Sequence, residues 1–195
     1  MSFLRLRSAI FVCLFVSGVS AGLRAQMGMP LGHTDPALEP ATVRELVARY
    51  CRMDYAGARL NANDWPKLQP LVAWHENPDF PLFMVTSRFD VSAELDPGHS
   101  KYGVTVHYRV VGKYDMAEGY SQEPGNQVRE AHFTVAETNG EWKITDIEPN
   151  FPYVSKAVAV QWLNHKLSGT SDPVAKTIYE NALQRLQGPT TAVPN

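Results

Sequence analysis

The stretch Phe133-Thr-Val-Ala-Glu-Thr-Asn-Gly-Glu-Trp-Lys-Ile144 decides the architecture. Its Asn139-Gly140 pair stands between two runs of alternating polar and apolar residues, the pattern of a tight hairpin whose two central residues need positive φ. Such a turn sets Thr138 opposite Glu141 and Val135 opposite Ile144. The period of two continues on both sides of it. Val128 to Glu137 forms one strand, and Trp142, Ile144 and Asp146 share a face of the next. Upstream, Phe83, Val85, Phe89 and Val91 alternate with Met84, Thr86, Arg88 and Asp90 in a strand from Leu82, closed by the turn Asp96-Pro-Gly98. Gly103 to Tyr114 is a further strand, with Val104, Val106, Tyr108 and Val110 on one side. Residues 115–126 are polar, hold Gly119, Pro124 and Gly125, and read as a long loop.

Folding the third strand back along the second across that loop sets Val106 opposite Phe133 and Tyr108 opposite Ala131. One sheet face then carries Phe89, Val91, Val106, Tyr108, Val110, Phe133, Val135, Trp142 and Ile144, apolar enough to hold helices. Asp146 stands at its end, unusual for a core. The other face carries Asp90, His107, Arg109, Glu130, His132 and Thr134, with His107 facing His132 and Arg109 facing Glu130. A slip of one residue would exchange the two faces.

Helical spacing appears before and after this sheet. Val43, Leu46, Val47, Tyr50 and Ala58 predict a helix that Glu39 to Thr42 can start and that runs to about Leu60, ended by the polar turn Asn61-Ala-Asn-Asp64. Trp65, Leu68, Leu71 and Val72 predict a short second helix with Pro66 in its first turn, limited by Pro70. Near the C-terminus, a helix is expected from Ser155 to Leu167, stopped near Gly169. Another is expected from Asp172 to Gln187, capped by Ser171, with the apolar stripe Ala175, Ile178, Tyr179, Ala182 and Leu186.

The first residues read as an address. Arg5 and Arg7 precede the apolar run Ala9–Val16, and Val19-Ser-Ala21 fits a signal peptidase site, with Leu23-Arg-Ala25 as a second candidate. The run is shorter than the roughly 20 residues a membrane span needs. The expected organisation is therefore a signal peptide over 1–21 (or 1–25), a leader over 26–41, one domain over 42–187 and a tail over 188–195. The chain is expected to be exported, periplasmic or secreted, with no membrane span after cleavage. Removing residues 1–21 takes two of the 18 basic side chains and none of the 20 acidic ones, so the formal charge moves from −2 to −4. That balance, with no basic, aromatic-studded face, argues against nucleic acid as a partner. Only Cys51 remains after cleavage, so no internal disulfide forms, and a lone cysteine in a helical stretch reads as a small buried apolar residue.

A helix, a short helix and a curved antiparallel sheet ending in the Phe133–Ile144 hairpin resemble the nuclear-transport-factor-2-like (ketosteroid-isomerase-like, cystatin-like fold) superfamily over roughly residues 42–150. The segment Arg49-Tyr-Cys-Arg-Met-Asp-Tyr-Ala-Gly-Ala-Arg-Leu60, with Trp65 and Leu68 after it, is similar to an uncharacterised, secreted bacterial branch. The resemblance implies an α+β fold: N-terminal helices packed on a curved antiparallel sheet of four or more strands, cone-like, with an apolar pocket at its open end. The two C-terminal helices are additions to that plan. It also implies a tyrosine on the first helix facing the pocket, which Tyr50 matches, and a homodimer formed through the outer sheet face.

The chemistry expected of the residues is limited. Tyr50, Asp54, Phe89, Tyr108 and Asp146 form the candidate ligand site, with Val47 and Ile144 completing its wall and the 115–126 loop as its cover. A carboxylate there, walled by aromatic rings, would be disfavoured in its charged form and drawn toward a useful acid–base range. Asp90, His107 and His132 line up in this register as two imidazoles and a carboxylate, but a hydrated face or a subunit contact is the preferred reading, and no metal or cofactor is expected. There is no Gly-x-Ser-x-Gly, phosphate loop, His-Glu-x-x-His or paired-cysteine motif. Two functions stay open: an exported, non-catalytic domain that binds a small amphipathic molecule or another protein, and a lyase- or isomerase-type enzyme using a pocket carboxylate with Tyr50.

Overall fold

Asn139 and Gly140 take φ values of 54° and 81°. The hairpin they close pairs Thr138 with Glu141 and Val135 with Ile144, as the turn requires. The computed structural model describes residues 39–94 and 101–188, with the backbone alone at 39–41, 93–94 and 124–126. The expected signal peptide, the expected leader up to residue 38, the expected Asp96-Pro-Gly98 turn and the expected tail from 189 lie outside the described residues.

The chain runs through α1 (Glu39–Tyr55), α2 (Trp65–Leu68) with a 3₁₀ turn (Gln69–Leu71), and β1 (Leu82–Glu94), β2 (Lys101–Asp115), β3 (Gly119–Thr138), β4 (Glu141–Glu148) and β5 (Tyr153–Ser155). It closes with α3 (Lys156–Gly169) and α4 (Pro173–Gln187). The fold is α+β, with a curled sheet in the order β4-β3-β2-β1-β5. Neighbours are antiparallel except β5, which runs parallel to β1 and makes the sheet mixed.

Several boundaries differ from the sequence expectation for local reasons. The helix α1 starts at Glu39, inside the Glu39–Thr42 start that the sequence offered, so residues 39–41 belong to it and not to the leader. That helix stops at Tyr55 rather than Leu60, because Gly57 takes φ 92° and its amide turns back to the Asp54 carbonyl at 2.8 Å. Residues 115–126 are not a long loop but a tight turn followed by the start of β3. Asp115 Oδ1 accepts the amides of Ala117 (2.9 Å) and Glu118 (3.3 Å), Gly119 takes φ 82°, and β3 starts at once. Pro124 and Gly125 fall in a bulge, where the step from Gln122 to Gln127 on β3 matches the step from Gly112 to Val110 on β2. The cap of α4 is Asp172, whose Oδ1 accepts the Val174 amide at 2.9 Å, and not Ser171.

The β2–β3 register lies two residues from expectation: Val104 pairs with Phe133, Val106 with Ala131 and Tyr108 with Arg129. An even shift leaves every side chain on its expected face and changes only its partner. His107 therefore faces Glu130, Arg109 faces Val128, and His132 faces Thr105. Three further irregularities matter more. Ser87 in β1 and Val111 in β2 are extra residues, so Phe83 and Val85 emerge on the side opposite Phe89 and Val91. In β4 Thr145 is extra, so Ile147 rather than Asp146 follows Ile144 into the core.

Each sheet face consequently has its own core. Val43, Val47, Tyr50 and Cys51 of α1, with Leu68 and Leu71, pack on Val104, Val106, Tyr108, Phe133, Val135 and Ile144. On the other side Phe83, Val85, Tyr114, Tyr120 and Val154 receive Ala159 and Leu163 of α3 and Ala182, Leu183 and Leu186 of α4. Among the described residues no helix is long and apolar enough to cross a membrane.

Candidate functional site

On α1, Val47, Tyr50, Cys51 and Asp54 fall at helical spacing and form its buried face. Tyr50 and Asp54 are each 1% exposed. The Phe133 ring meets Tyr50 edge-on at 5.7 Å. From β2, Tyr108 donates its hydroxyl to Cys51 Sγ at 3.1 Å and stacks on Tyr153 with ring centres 3.8 Å apart. Phe89 tilts against Tyr108 at 5.9 Å. Asp54 Oδ2 accepts the Tyr153 amide at 2.9 Å, which ties the end of α1 to β5 across the sheet edge.

Four of the five expected site residues thus meet: Tyr50, Asp54, Phe89 and Tyr108. Asp146 does not join them, because the Thr145 bulge turns it outward, where it is exposed and accepts the Ile147 amide at 2.9 Å. Two residues that sequence reasoning passed over complete the set. Arg59, 2% exposed, comes from the turn after α1, and Tyr153 comes from the short strand between Pro152 and α3. Arg59 Nε donates to Asn77 Oδ1 at 3.3 Å, while Asn77 returns a bond to the Arg59 carbonyl at 2.9 Å. A basic residue that helical periodicity placed on a helix end gave no sign of burial. A tyrosine after Pro149 and directly behind Pro152 read as connection.

The set is electrostatically tense. Burial pushes the Asp54 carboxyl up to about 6, against the opposing pull of the Arg59 charge and the Tyr153 amide. The Tyr50 and Tyr108 hydroxyls are held far above the usual phenol range, chiefly by burial. Burial also pushes the Cys51 thiol up to about 12, so it stays protonated and unreactive. Asp54 Oδ1, Tyr50 OH, Arg59 Nη2 and Tyr153 OH are buried without a hydrogen-bond partner.

The outer sheet face carries Asp90, His107, Arg109, Glu130 and His132, all exposed or half-buried. His107 Nδ1 lies 3.3 Å from Glu130 Oε1, and His132 Nδ1 lies 3.3 Å from Thr105 Oγ1. The register therefore separates His132 from His107, and among the described residues no group of three or more His, Cys, Asp or Glu side chains is placed to hold a metal ion. Val128, 57% exposed, shares this face opposite Arg109.

A groove of about 470 Å³ opens elsewhere, between the 56–64 turn and α3. Leu60, Val158 and Trp162 give its apolar surface, and Asn61, Asn63, Asp64, Gln161, His165 and Lys166 its polar one. Helical spacing puts Gln161, Trp162, His165 and Lys166 on one side of α3. Lys166 Nζ stands 5.2 Å from the centre of the Trp162 ring. Asp64 is engaged by Lys67 at 2.5 Å and by Asn61 at 2.9 Å. The sequence offered no warning of this groove, since its walls lie about a hundred residues apart.

Comparison with protein-family models, with curated proteins and with solved structures gives no match.

Proposed function

We propose that this chain is an exported, non-catalytic binding domain of nuclear-transport-factor-2-like architecture, and that a small amphipathic molecule occupies the groove between the 56–64 turn and α3. The observation that carries this reading is a contrast in access. The groove is open and of a size typical of small-molecule sites, whereas Tyr50, Asp54 and Tyr108 are each about 1% exposed. Its mixture of an indole, two aliphatic side chains and several amides suits a ligand with an apolar body and a hydrogen-bonding end. Two copies of the chain pair through the outer face bearing Asp90, His107, Arg109, Glu130 and His132, where exposed Val128 adds apolar area.

The test is a nuclear magnetic resonance titration of the Trp162 indole with a panel of naphthalene- and indole-based alcohols and acids. Saturable, one-to-one shifts that disappear in Ala56→Trp, which fills the groove, are expected. A panel that leaves Trp162 unmoved turns the reading toward a pure protein-interaction module. Light scattering of the mature chain at high micromolar concentration is expected to give a dimer, and a monomer removes the pairing.

A second reading keeps a lyase or isomerase that uses Asp54 with Tyr50. It is favoured by the position of the Asp54 carboxyl, drawn to about 6 with one oxygen unpartnered. It requires β5 or the 56–60 turn to open, since the carboxylate is sealed. Asp54→Asn abolishing turnover of an identified substrate, with the fold kept, would install it over the first.

A further inference from the structure

We infer that Tyr50, Asp54 and Arg59 enclose an internal site for a small hydroxyl-bearing guest, either water or the hydroxyl end of a small alcohol. This site is separate from the groove and does not depend on it. Its three side chains are 1%, 1% and 2% exposed, and each carries one polar atom with no partner: the Tyr50 hydroxyl, Asp54 Oδ1 and Arg59 Nη2. The three groups lie close together. Asp54 and Arg59 both perturb Tyr50, Arg59 by its charge and by a side-chain contact in hydrogen-bonding range, and Arg59 perturbs Asp54. The two ends left to bridge are therefore Asp54 Oδ1 and Arg59 Nη2. Opposite charges so near and so buried would normally close on each other, yet Asp54 and Arg59 make no contact within the 4.0 Å of an ion pair.

The reason is that each is anchored at its other end. Asp54 Oδ2 is held by the Tyr153 amide at 2.9 Å, and Arg59 Nε by Asn77 Oδ1 at 3.3 Å, with Asn77 also fixing the Arg59 backbone. The helix and the turn thus keep the two free ends apart, and a third group must bridge them or leave them unpaired. The chemistry of the set selects that group. Arg59 only donates, ionised Asp54 only accepts, and Tyr50 does either. A bound anion would face the carboxylate, a bound cation the guanidinium, and an apolar guest would satisfy neither. A hydroxyl donates its proton to Asp54 and accepts from Arg59 at once.

The experiment is a crystal structure of the mature chain, grown without alcohols or glycols, at a resolution that shows ordered water. The expected result is a density peak within about 3.2 Å of both Asp54 Oδ1 and Arg59 Nη2, a normal hydrogen-bond distance. Asp54 bonded directly to Arg59 or Tyr50, with no density between them, overturns the inference. A second crystal soaked in methanol identifies the source. Added carbon density at the peak assigns the site to alcohols, and an unchanged peak assigns it to water. Xenon occupying the same position under pressure would mark the space as apolar and would also overturn the inference.

Discussion

Asp54 links chemistry to stability in a way that can be read from a pH titration. An unfolded aspartate titrates near 3.8, and burial raises the folded carboxyl to about 6. Between those values the folded chain holds more protons than the unfolded one, so stability falls as pH rises through this window and levels above it. The difference corresponds to about 3 kcal/mol, at 1.36 kcal/mol for each pKa unit. Urea melts from pH 4 to 7 are expected to show this decline relative to Asp54→Asn, whose amide oxygen can still accept the Tyr153 amide. Parallel profiles for the two proteins would mean that the carboxyl is not strained. Phe133 and Trp142 separate in the same kind of measurement, although both were expected on one buried face. Phe133 is 2% exposed and meets Tyr50, so Phe133→Ala should cost about 3–5 kcal/mol. Trp142 is half-buried against Tyr102 at 5.1 Å, and Trp142→Ala should cost less, about 1–2 kcal/mol by the area it hides. Equal losses would put Trp142 back in the core. At this scale Tyr50, Asp54, Phe89 and Tyr108 were legible, because helical spacing and strand alternation both count along the chain. Arg59 and Tyr153 were not, because their burial is decided by a turn and a strand pairing that no period announces.

The elements show the same division between what is periodic and what is not. The Asn139-Gly140 hairpin, the short helix after Trp65 and both C-terminal helices followed from the sequence, since each is set by local chemistry. Bulges do not follow, because one extra residue inverts every side chain beyond it and leaves no mark on composition. Ser87 and Val111 are such residues, and they explain why Phe83 and Phe89, of equal parity in the chain, serve opposite cores. Thr145 explains Asp146 in the same way. The turn after α1 is the element where a single atom decides most. Gly57 takes φ 92°, and a Cβ built there would meet Val158 Cγ1 of α3 at 2.5 Å. Gly57→Ala combines a left-handed strain of about 1–2 kcal/mol with a clash that pushes α3 from the turn. The expected outcome is a fall in melting temperature together with a perturbed Trp162 indole resonance, since both flank the groove. Loss of stability with that resonance unmoved would place the strain inside the turn and leave the groove rigid.

At the scale of the molecule, the two C-terminal helices that the sequence placed after the sheet form one wall of its second core. β1 and β2 are apolar on both sides at one end, and Phe83, Val85, Tyr114, Tyr120 and Val154 are buried only because α3 and α4 lie on them. Phe83 and Tyr114 stack at 5.1 Å, and Trp162 closes on both edge-to-face at 5.4 Å, so the second core is an aromatic cluster in its own right. Arg185 of α4 also donates to the Tyr120 carbonyl at 3.1 Å. Burying a large apolar side chain contributes about 1.5–3 kcal/mol, so five of them account for on the order of 10 kcal/mol. That is as large as the whole stability of a typical domain, about 5–15 kcal/mol. A chain ending at Ser155 should therefore fail to fold to a monomer, and circular dichroism with size-exclusion chromatography should find it unfolded or aggregated. A soluble monomer with native aromatic dichroism would show that the first core suffices alone. The same dependence ties the two candidate sites together. The turn bearing Arg59 on its buried side bears Gly57 and Leu60 on the groove, and α3, which forms the groove's other wall, follows directly from β5, whose Tyr153 amide holds Asp54. The groove and the buried set therefore share their framework through residues 56–60 and 153–158.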